Sequence, residues 1–282
     1  MNENEPKLAI RRILVALDAS THSLAALNAA AEMAANMQAE LIGLFVEDEN
    51  LLHLAGLPFA KEVHSQSAES EPMDSDKMQQ ELKLQASQAR RALEEAANRV
   101  NARWSFRVVR GQVTASVLAA ALDADLLAMG RASRPLVSGS RLGSTAREVS
   151  TSTNKSVLLM PRTGDLDYPV LVTYDGSESS KQALGAAARL ARSGGDKLNV
   201  LLLADTIEAT EPLKQEVADW LEKRGMAAGF HWLPQATTAN LVEMVQTAEN
   251  CVLVLGGESR LVEAAAIQDL LDKTDCPVML VR

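Results

Sequence analysis

The sequence predicts an α/β protein made of two consecutive doubly wound domains, each a five-stranded parallel sheet with helices on both faces. Two observations support this class. Short runs rich in valine, leucine and isoleucine alternate with amphipathic or alanine-rich segments, as buried parallel strands alternate with crossover helices. The opening segment ILVALDASTHSLAALNAAAEMA, from Ile13, also recurs as VLVTYDGSESSKQALGAAARLA, from Val170. The alternation predicts the architecture of one unit, and the repeat predicts that the unit is duplicated.

The repeat also predicts the domain organisation. The two copies can be followed as far as Gly130 and Gly256, but the offset between them shrinks along the way, so the second copy is the shorter one. We predict a first domain at residues 1–164 and a second at 165–282, divided within the polar stretch TGDLDY. The first domain carries an insertion at 47–75. Its apolar start favours a short helix, and its polar end is expected to be disordered.

The elements of the first copy follow from its apolar spacing. Continuous apolar runs predict strands, whereas apolar residues three and four apart predict helices. Ser20, Thr21 and Ser23 supply the capping chemistry that precedes a helix. The predicted elements are a strand at Ile13–Leu17, a helix at Leu24–Met37, a strand at Leu41–Val46, a helix at Asp76–Arg103, a strand at Phe106–Val109, a helix at Thr114–Leu122, and strands at Asp125–Gly130 and Ser156–Met160.

The second copy repeats this order with shorter connections. Its predicted strands are Val170–Thr173, Leu198–Leu203, Gly229–Leu233, Val252–Leu255 and Val278–Val281. Helical crossovers between parallel strands are right-handed and place helices on both faces of the sheet. In such sheets a ligand lies beyond the carboxyl ends of the strands, where the strand order reverses. If the first and fourth strands are neighbours, Asp18 and Gly130 flank one crevice at that point.

Composition excludes several classes of protein. The formal net charge of -9 and the pI of about 5.1 argue against general nucleic-acid binding, which needs a basic face. No apolar run has the length of a membrane span or of a signal-peptide core, so we expect a cytoplasmic protein with no nucleic-acid or membrane partner. Cys251 and Cys276 each open a predicted strand and are interpreted as small buried hydrophobes. The histidines lack metal-ligand spacing, which predicts no metal site. Those interpreted as surface or loop residues are His22, His53, His64 and His231.

The stretch after Gly130 is the candidate functional loop. It is rich in glycine and serine and leads into a predicted helix, whose free N–H groups and dipole favour an anion such as phosphate. No acidic residue interrupts its four arginines, which are Arg131, Arg134, Arg141 and Arg147. The spacings G-x-x-x-x-G-K-[ST] and G-x-G-x-x-G are absent, which excludes the common phosphate loops. Turn geometry and surface arginines are the alternative explanation of this composition.

These residues resemble the universal stress protein family in its tandem-domain form. The family opens on a hydrophobic strand that ends in Asp and is followed by Ser or Thr, as at Asp18 and Ser20 and again at Asp175 and Ser177. Its nucleotide-binding members carry G-x-x-G-x9-G-[ST] after the fourth strand. The corresponding residues here are Gly130, Ser133, Gly143 and Ser144, with serine in place of the second glycine.

The resemblance implies a flavodoxin-like fold that binds ATP or AMP, with Mg²⁺ left open as a companion ion. By this resemblance, Asp18 and the backbone near Val46 contact adenine. By the same resemblance, the ribose and phosphates are bound by a set of loop residues, which are Gly130, Ser133, Gly143, Ser144 and the adjacent Thr145. In the second copy the corresponding loop lacks the final Gly-Ser pair and carries Glu258 and Glu263, whose charges oppose an anion. We therefore expect the second site to be empty.

The expected function is that of a stress-response sensor or regulator that binds an adenine nucleotide and is not an enzyme. The loop supplies no positioned nucleophile and no carboxylates to hold a metal beside phosphates, which argues against a slow ATP hydrolase. The other alternative is a nucleotide-free interaction protein with two vestigial sites. The protein partner cannot be read from the sequence. The family and the duplication both imply that the closing strands, Ser156–Met160 and Val278–Val281, pair within one chain, and a further homodimer stays open.

Overall fold

One ten-stranded sheet runs through the molecule and carries helices on both faces. The structure is a computed structural model, and it describes residues 10–57, 61–63, 70–72, 74–132, 142–162, 166–195, 197–248, 250–257 and 264–282. The predicted class, a doubly wound α/β fold, is confirmed. The two predicted five-stranded sheets, however, are the two ends of one continuous sheet.

The first half of the chain contains seven strands and five helices within the described residues. The strands are β1 (Arg12–Leu17), β2 (Glu40–Asp48), β3 (Lys61–Val63), β4 (Ser70–Pro72), β5 (Arg103–Gly111), β6 (Leu126–Gly130) and β7 (Ser156–Met160). The helices are α1 (Thr21–Met37), α2 (Glu49–Ala55), α3 (Ser75–Arg99), α4 (Val113–Ala121) and α5 (Ser144–Ser152). Helix α1 begins three residues earlier than predicted because Ser20 caps it, accepting a hydrogen bond from the Ser23 N–H at 3.1 Å.

The second half repeats the pattern with shorter connections. Its strands are β8 (Val170–Tyr174), β9 (Leu198–Leu203), β10 (Gly229–Leu233), β11 (Val252–Gly256) and β12 (Val278–Val281). Its helices in the described residues are α6 (Glu178–Ser193), α7 (Thr210–Glu222), α8 (Thr238–Thr247) and α9 (Ala264–Lys273). One helix, α7, links β9 to β10, where the first half has the insertion and α3 between β2 and β5.

The strand order is the same in both halves. Across the sheet it reads β10-β9-β8-β11-β12-β7-β6-β1-β2-β5. Counting only the strands of the large sheet, each half has the order third, second, first, fourth, fifth. Neighbouring strands run parallel within each half. The order reverses between the first and fourth strands, which are β1 and β6 in the first half. This adjacency is the condition under which we expected Asp18 and Gly130 to flank one crevice.

The two halves are joined by the closing strands, as predicted. Strands β7 and β12 pair antiparallel, with Leu158 opposite Met279 and Val157 opposite Leu280. Every residue of both strands is buried. Leu158 and Met279 belong to the core on one face of the sheet, whereas Val157 and Leu280 belong to the core on the other. Because each core includes residues from both halves, this seam is part of the hydrophobic core.

The insertion is more ordered than the sequence predicted. Its apolar start forms α2, as expected, with Asp48 as the N-cap accepting from the Asn50 N–H at 2.9 Å. The part expected to be disordered begins at Val63, the last residue of β3, and includes all of β4; the two strands pair antiparallel with Val63 opposite Ser70. That expectation is therefore wrong for residues 63 and 70–72. The other residues between Leu57 and Asp74 lie outside the described part of the chain.

Cys251 and Cys276 are both buried, as interpreted from the sequence. None of the helices in the described ranges combines the length and apolarity that crossing a membrane requires.

Candidate functional site

The candidate site lies at the carboxyl ends of β1 and β6. In these parallel neighbours Val15 lies opposite Ala128, so both strands end at the same edge of the sheet, at Leu17 and Gly130. The sequence-predicted residue Asp18 follows the first strand directly. This is the place where the strand order of the half reverses, which is where doubly wound sheets bind ligands.

Val46 lies at the same edge. It belongs to β2, whose Phe45 is opposite Leu17 of β1, and it pairs with Val109 of β5 on its other side. Its side chain is partly buried and packs against the core. The adjacency of β1 and β2 therefore brings Val46 and Asp18 to the same edge of the sheet.

Asp18 orders the turn that starts α1. Its Oδ1 accepts a hydrogen bond from the Ser20 N–H at 3.0 Å, and its own N–H donates to Ser23 Oγ at 3.4 Å. In the second half Asp175 Oδ1 accepts from the Ser177 N–H at 3.0 Å, the same arrangement. A turn that is repeated in both halves accounts for the Asp-x-Ser motif without any ligand. Contact between Asp18 and adenine stays a prediction.

The residue after each aspartate has a left-handed backbone. Ala19 has φ +58°, and Gly176 at the equivalent position has φ +82°. Glycine adopts this conformation without steric cost, whereas a Cβ carries a penalty of roughly 1–2 kcal/mol. The first half therefore holds backbone strain beside the candidate site that the second half avoids.

Exchanging these two residues should change stability in opposite directions. We expect Ala19→Gly to raise the free energy of unfolding by about 0.5–1 kcal/mol, the relief of strain less the added entropy of the unfolded chain. Gly176→Ala should lower it, because the new Cβ would also lie 3.0 Å from Leu213 Cδ2. Urea unfolding followed by circular dichroism measures both. If Ala19→Gly instead lowers the free energy of unfolding, the left-handed backbone at Ala19 is not strained.

Gly130 is required for helix packing. A Cβ at this position would lie 2.6 Å from His22 Cβ and 2.7 Å from the His22 carbonyl carbon, both in the first turn of α1. Gly256 has the same role in the second half, where a Cβ would lie 2.8 Å from the Ser179 backbone. From the sequence, Gly130 was interpreted as allowing either a sharp turn or the close approach of a ligand. The contact it makes is with α1, and any ligand contact is additional.

His22 is part of this packing and was wrongly placed by the sequence at the surface or in a loop. It lies in α1 and is partly buried, and its Nδ1 has no hydrogen-bond partner among the described residues. Burial, followed by the charge of Arg162, lowers the pKa of His22 below its usual value. The imidazole is therefore neutral near pH 7 and adds no positive charge to the site.

The start of α5 holds three further predicted residues. Gly143 is the N-cap, with an extended backbone at φ -70° and ψ 157°, and Ser144 and Thr145 form the first turn. The Gly143 N–H donates to the Arg131 carbonyl at 2.7 Å, which ties the start of α5 to the end of β6. Gly143 has no side chain to cap the helix. First-turn N–H groups without a side-chain cap are suited to an anion. Of the predicted site, Ser133 lies outside the described residues.

Arg131 corrects the prediction of a four-arginine anion site. Its side chain is 2% exposed and enters the second half, where it donates to the carbonyls of Leu271 at 3.1 Å, Thr274 at 2.7 Å and Cys276. These carbonyls lie at and after the end of α9. Two others of the four, Arg134 and Arg141, lie outside the described part of the chain. At least one of the four charges therefore belongs to the contact between the halves.

A metal-binding cluster is absent from the part of the chain that the structure describes. No three histidine, cysteine, aspartate or glutamate side chains there are arranged to hold an ion.

Comparison with known proteins identifies the family of the first half and the fold of the whole chain. The sequence profile described as "Universal stress protein family" matches residues 9–161, more than half of the chain. No curated protein matches the chain significantly. A universal stress protein from Archaeoglobus fulgidus DSM 4304 has a similar structure at 15% identity, with a TM-score of 0.69, over 96% of this chain and 98% of the other.

Two further structures share the fold at low identity. A functionally unknown protein from Pseudomonas aeruginosa PAO1 is 14% identical, with a TM-score of 0.61, over 97% of this chain and 93% of its own. The cytoplasmic domain of a prokaryotic cation chloride cotransporter is 11% identical, with a TM-score of 0.54, over 96% and 95%. At these identities the likeness concerns the fold alone, and one fold serves several functions. The profile match decides the assignment: this chain belongs to the universal stress protein family.

Proposed function

We propose that the chain binds an adenine nucleotide, ATP or AMP, at the carboxyl edge of its first half and acts as a cytoplasmic stress-response sensor or regulator. The observation that carries the proposal is the convergence of three segments at the reversal of strand order. These segments are the Asp18 turn, the last residues of β2 from Val46 onwards and the glycine-capped start of α5 at Gly143. Backbone N–H groups at a helix start bind phosphate without a dedicated cation.

The proposed roles follow the geometry. Asp18 and the backbone near Val46 lie on adjacent strand ends and would contact the adenine ring. Gly143, Ser144 and Thr145 would contact ribose and phosphates through the first-turn N–H groups and hydroxyls of α5. Gly130 and Ser133 complete the proposed set. Mg²⁺, if it accompanies the nucleotide, would be held by phosphate oxygens and water, which is its usual preference.

The second half is proposed to be a universal stress protein domain whose own site is empty. Gly257 corresponds to Arg131, since each N–H donates to the last residue of its closing strand, to Val281 at 2.7 Å and to Met160 at 3.0 Å respectively. A Cβ on Gly257 would lie 2.5 Å from Arg282 Cγ, so the Arg282 side chain packs against Gly257. The predicted carboxylates Glu258 and Glu263 lie outside the described residues.

Nucleotide binding rather than catalysis is the proposed activity. The Asp18 carboxylate accepts a hydrogen bond from the Ser20 N–H and so stabilises the turn. This structural role does not favour a role as general base. A slow hydrolase would need groups that position water and a metal beside the phosphates. The alternative is an interaction protein that binds no nucleotide. Whether the purified protein binds nucleotide distinguishes this alternative from the proposal.

Calorimetric titration of the full chain with ATP and with AMP tests the proposal. We expect one nucleotide per chain, because the loop after Gly256 lacks the final Gly-Ser pair and carries Glu258 and Glu263, whose charges oppose an anion. Mass spectrometry of the small molecules released on denaturation should identify the same nucleotide in protein purified from cells. Two sites per chain would overturn the empty second site. No binding to either nucleotide would favour the interaction protein.

A further inference from the structure

We propose that the second half sets the nucleotide affinity of the first half through Arg131, which acts as a positioning residue. This inference rests on the proposed nucleotide site and names a means of regulating it. The Arg131 side chain points away from that site and is buried in the second half. Its backbone is the first residue after β6 and lies within the site. Arg131 therefore links the proposed site to the second half.

The backbone of Arg131 holds the start of α5 in position. Its N–H donates to the Met160 carbonyl of β7 at 3.0 Å, and its carbonyl accepts from the Gly143 N–H at 2.7 Å. A Cβ on Gly143 would lie 3.3 Å from the same carbonyl, which shows how closely the two segments approach. A shift of Arg131 would therefore move the N–H groups proposed to bind phosphate.

The side chain of Arg131 is held by carbonyls of the second half. Its guanidinium donates to the carbonyls of Leu271, Thr274 and Cys276, where α9 ends and β12 begins. The last carbonyls of a helix carry partial negative charge and lack partners within the helix, so they suit a cation. Hydrogen bonds from a charged donor are stronger than neutral ones, and burial strengthens them further. The anchor is thus the end of α9, in the other half of the molecule.

A second arginine provides a matched control. Arg282 follows β12 and donates to the carbonyls of Ser150 and Thr153 at the end of α5 in the first half. Both arginines cap the last helix of the opposite half. They occupy different positions, however, since Arg131 corresponds to Gly257 and Arg282 corresponds to Pro161, which follows Met160. The Arg282 N–H donates to Ser156 Oγ at 3.2 Å, so its backbone lies beside the residues that follow the end of α5 and not at the start of that helix.

The inference therefore predicts different effects for two similar substitutions in the full-length chain. Arg131→Met and Arg282→Met should both lower the unfolding midpoint, because each leaves helix carbonyls without their cation. Only Arg131→Met should weaken ATP binding, by about fivefold or more, which is the range of coupling between sites in one protein. Arg131→Lys keeps the charge but loses the planar fork, and it should restore part of the affinity.

Two measurements on folded protein test this. Calorimetry gives the ATP dissociation constant of each variant well below its unfolding midpoint. Hydrogen exchange gives the protection of the Gly143 amide, which should fall in Arg131→Met and not in Arg282→Met. If Arg131→Met does not fold, Arg131→Lys carries the same comparison. Wild-type protein that binds ATP, together with an unchanged dissociation constant in the Arg131 variants, would overturn this inference alone. Wild-type protein that binds no nucleotide would overturn the proposed function as well.

Discussion

Replacing Gly143 with aspartate should weaken ATP binding at least tenfold while leaving the fold intact. The backbone at this N-cap is extended, at φ -70°, and the new Cβ would lie 3.3 Å from the Arg131 carbonyl, a contact that a small adjustment relieves. The carboxylate would accept hydrogen bonds from the first-turn N–H groups of α5. The same groups are proposed to bind phosphate, so the mutation removes charge-assisted hydrogen bonds worth roughly 1.5–3 kcal/mol each and adds a repelling charge.

The thermal stability of this variant distinguishes its effect from misfolding. Aspartate is only slightly better than glycine as an N-cap residue, so we expect stability equal to the wild type or higher by a few tenths of a kcal/mol. Gly143→Asn is the neutral control. Its side chain can cap the same N–H groups without repelling phosphate, so its loss of affinity should be smaller. Calorimetry and thermal unfolding measure both variants. If a folded Gly143→Asp protein binds ATP as tightly as the wild type, the phosphates bind elsewhere.

The apolar pattern predicts the buried strands well and the edge strand β5 poorly. The bounds of Leu198–Leu203 and Val278–Val281 agree with β9 and β12 residue for residue, because strands covered on both faces are continuous apolar runs. For β5 the sequence predicts only Phe106–Val109, whereas the strand spans Arg103–Gly111 and pairs with β2 along its whole length. Its remaining residues are mostly polar, because an edge strand is partly exposed to solvent. Backbone pairing extends further than apolar periodicity can show.

At the candidate site, sequence predicts position better than role. The repeat and the strand order bring Asp18, Val46 and Gly143 to one edge, as expected. A glycine that allows a helix to approach and a glycine that allows a ligand to approach look the same in a sequence, which is why the packing role of Gly130 was missed. The direction of Arg131 depends on carbonyls more than 130 residues away in the chain. Only the pairing of β7 with β12 brings those carbonyls close.

The largest loss of stability is expected from Leu158→Lys, at the seam between the halves. Leu158 is fully buried in β7, opposite Met279 of β12, and it belongs to a core that includes residues of both halves. A lysine there would have to bury an unpaired ammonium or pull the strands apart. Burying such a charge ranks among the few substitutions that cost more than about 4 kcal/mol, comparable to the whole stability of many domains.

The way in which this variant fails decides whether the seam is core or interface. If the two halves form one cooperative unit, Leu158→Lys should abolish the near-UV circular dichroism signal of both halves. The tryptophans Trp104 and Trp220, on opposite sides of the seam, contribute to that signal. Leu84→Lys is the matched control, since Leu84 lies on α3 and is 64% exposed, and it should unfold like the wild type. Scattering completes the test. Two folded lobes that separate without unfolding would mean that each half holds its own core, against the arrangement in which both cores cross β7 and β12.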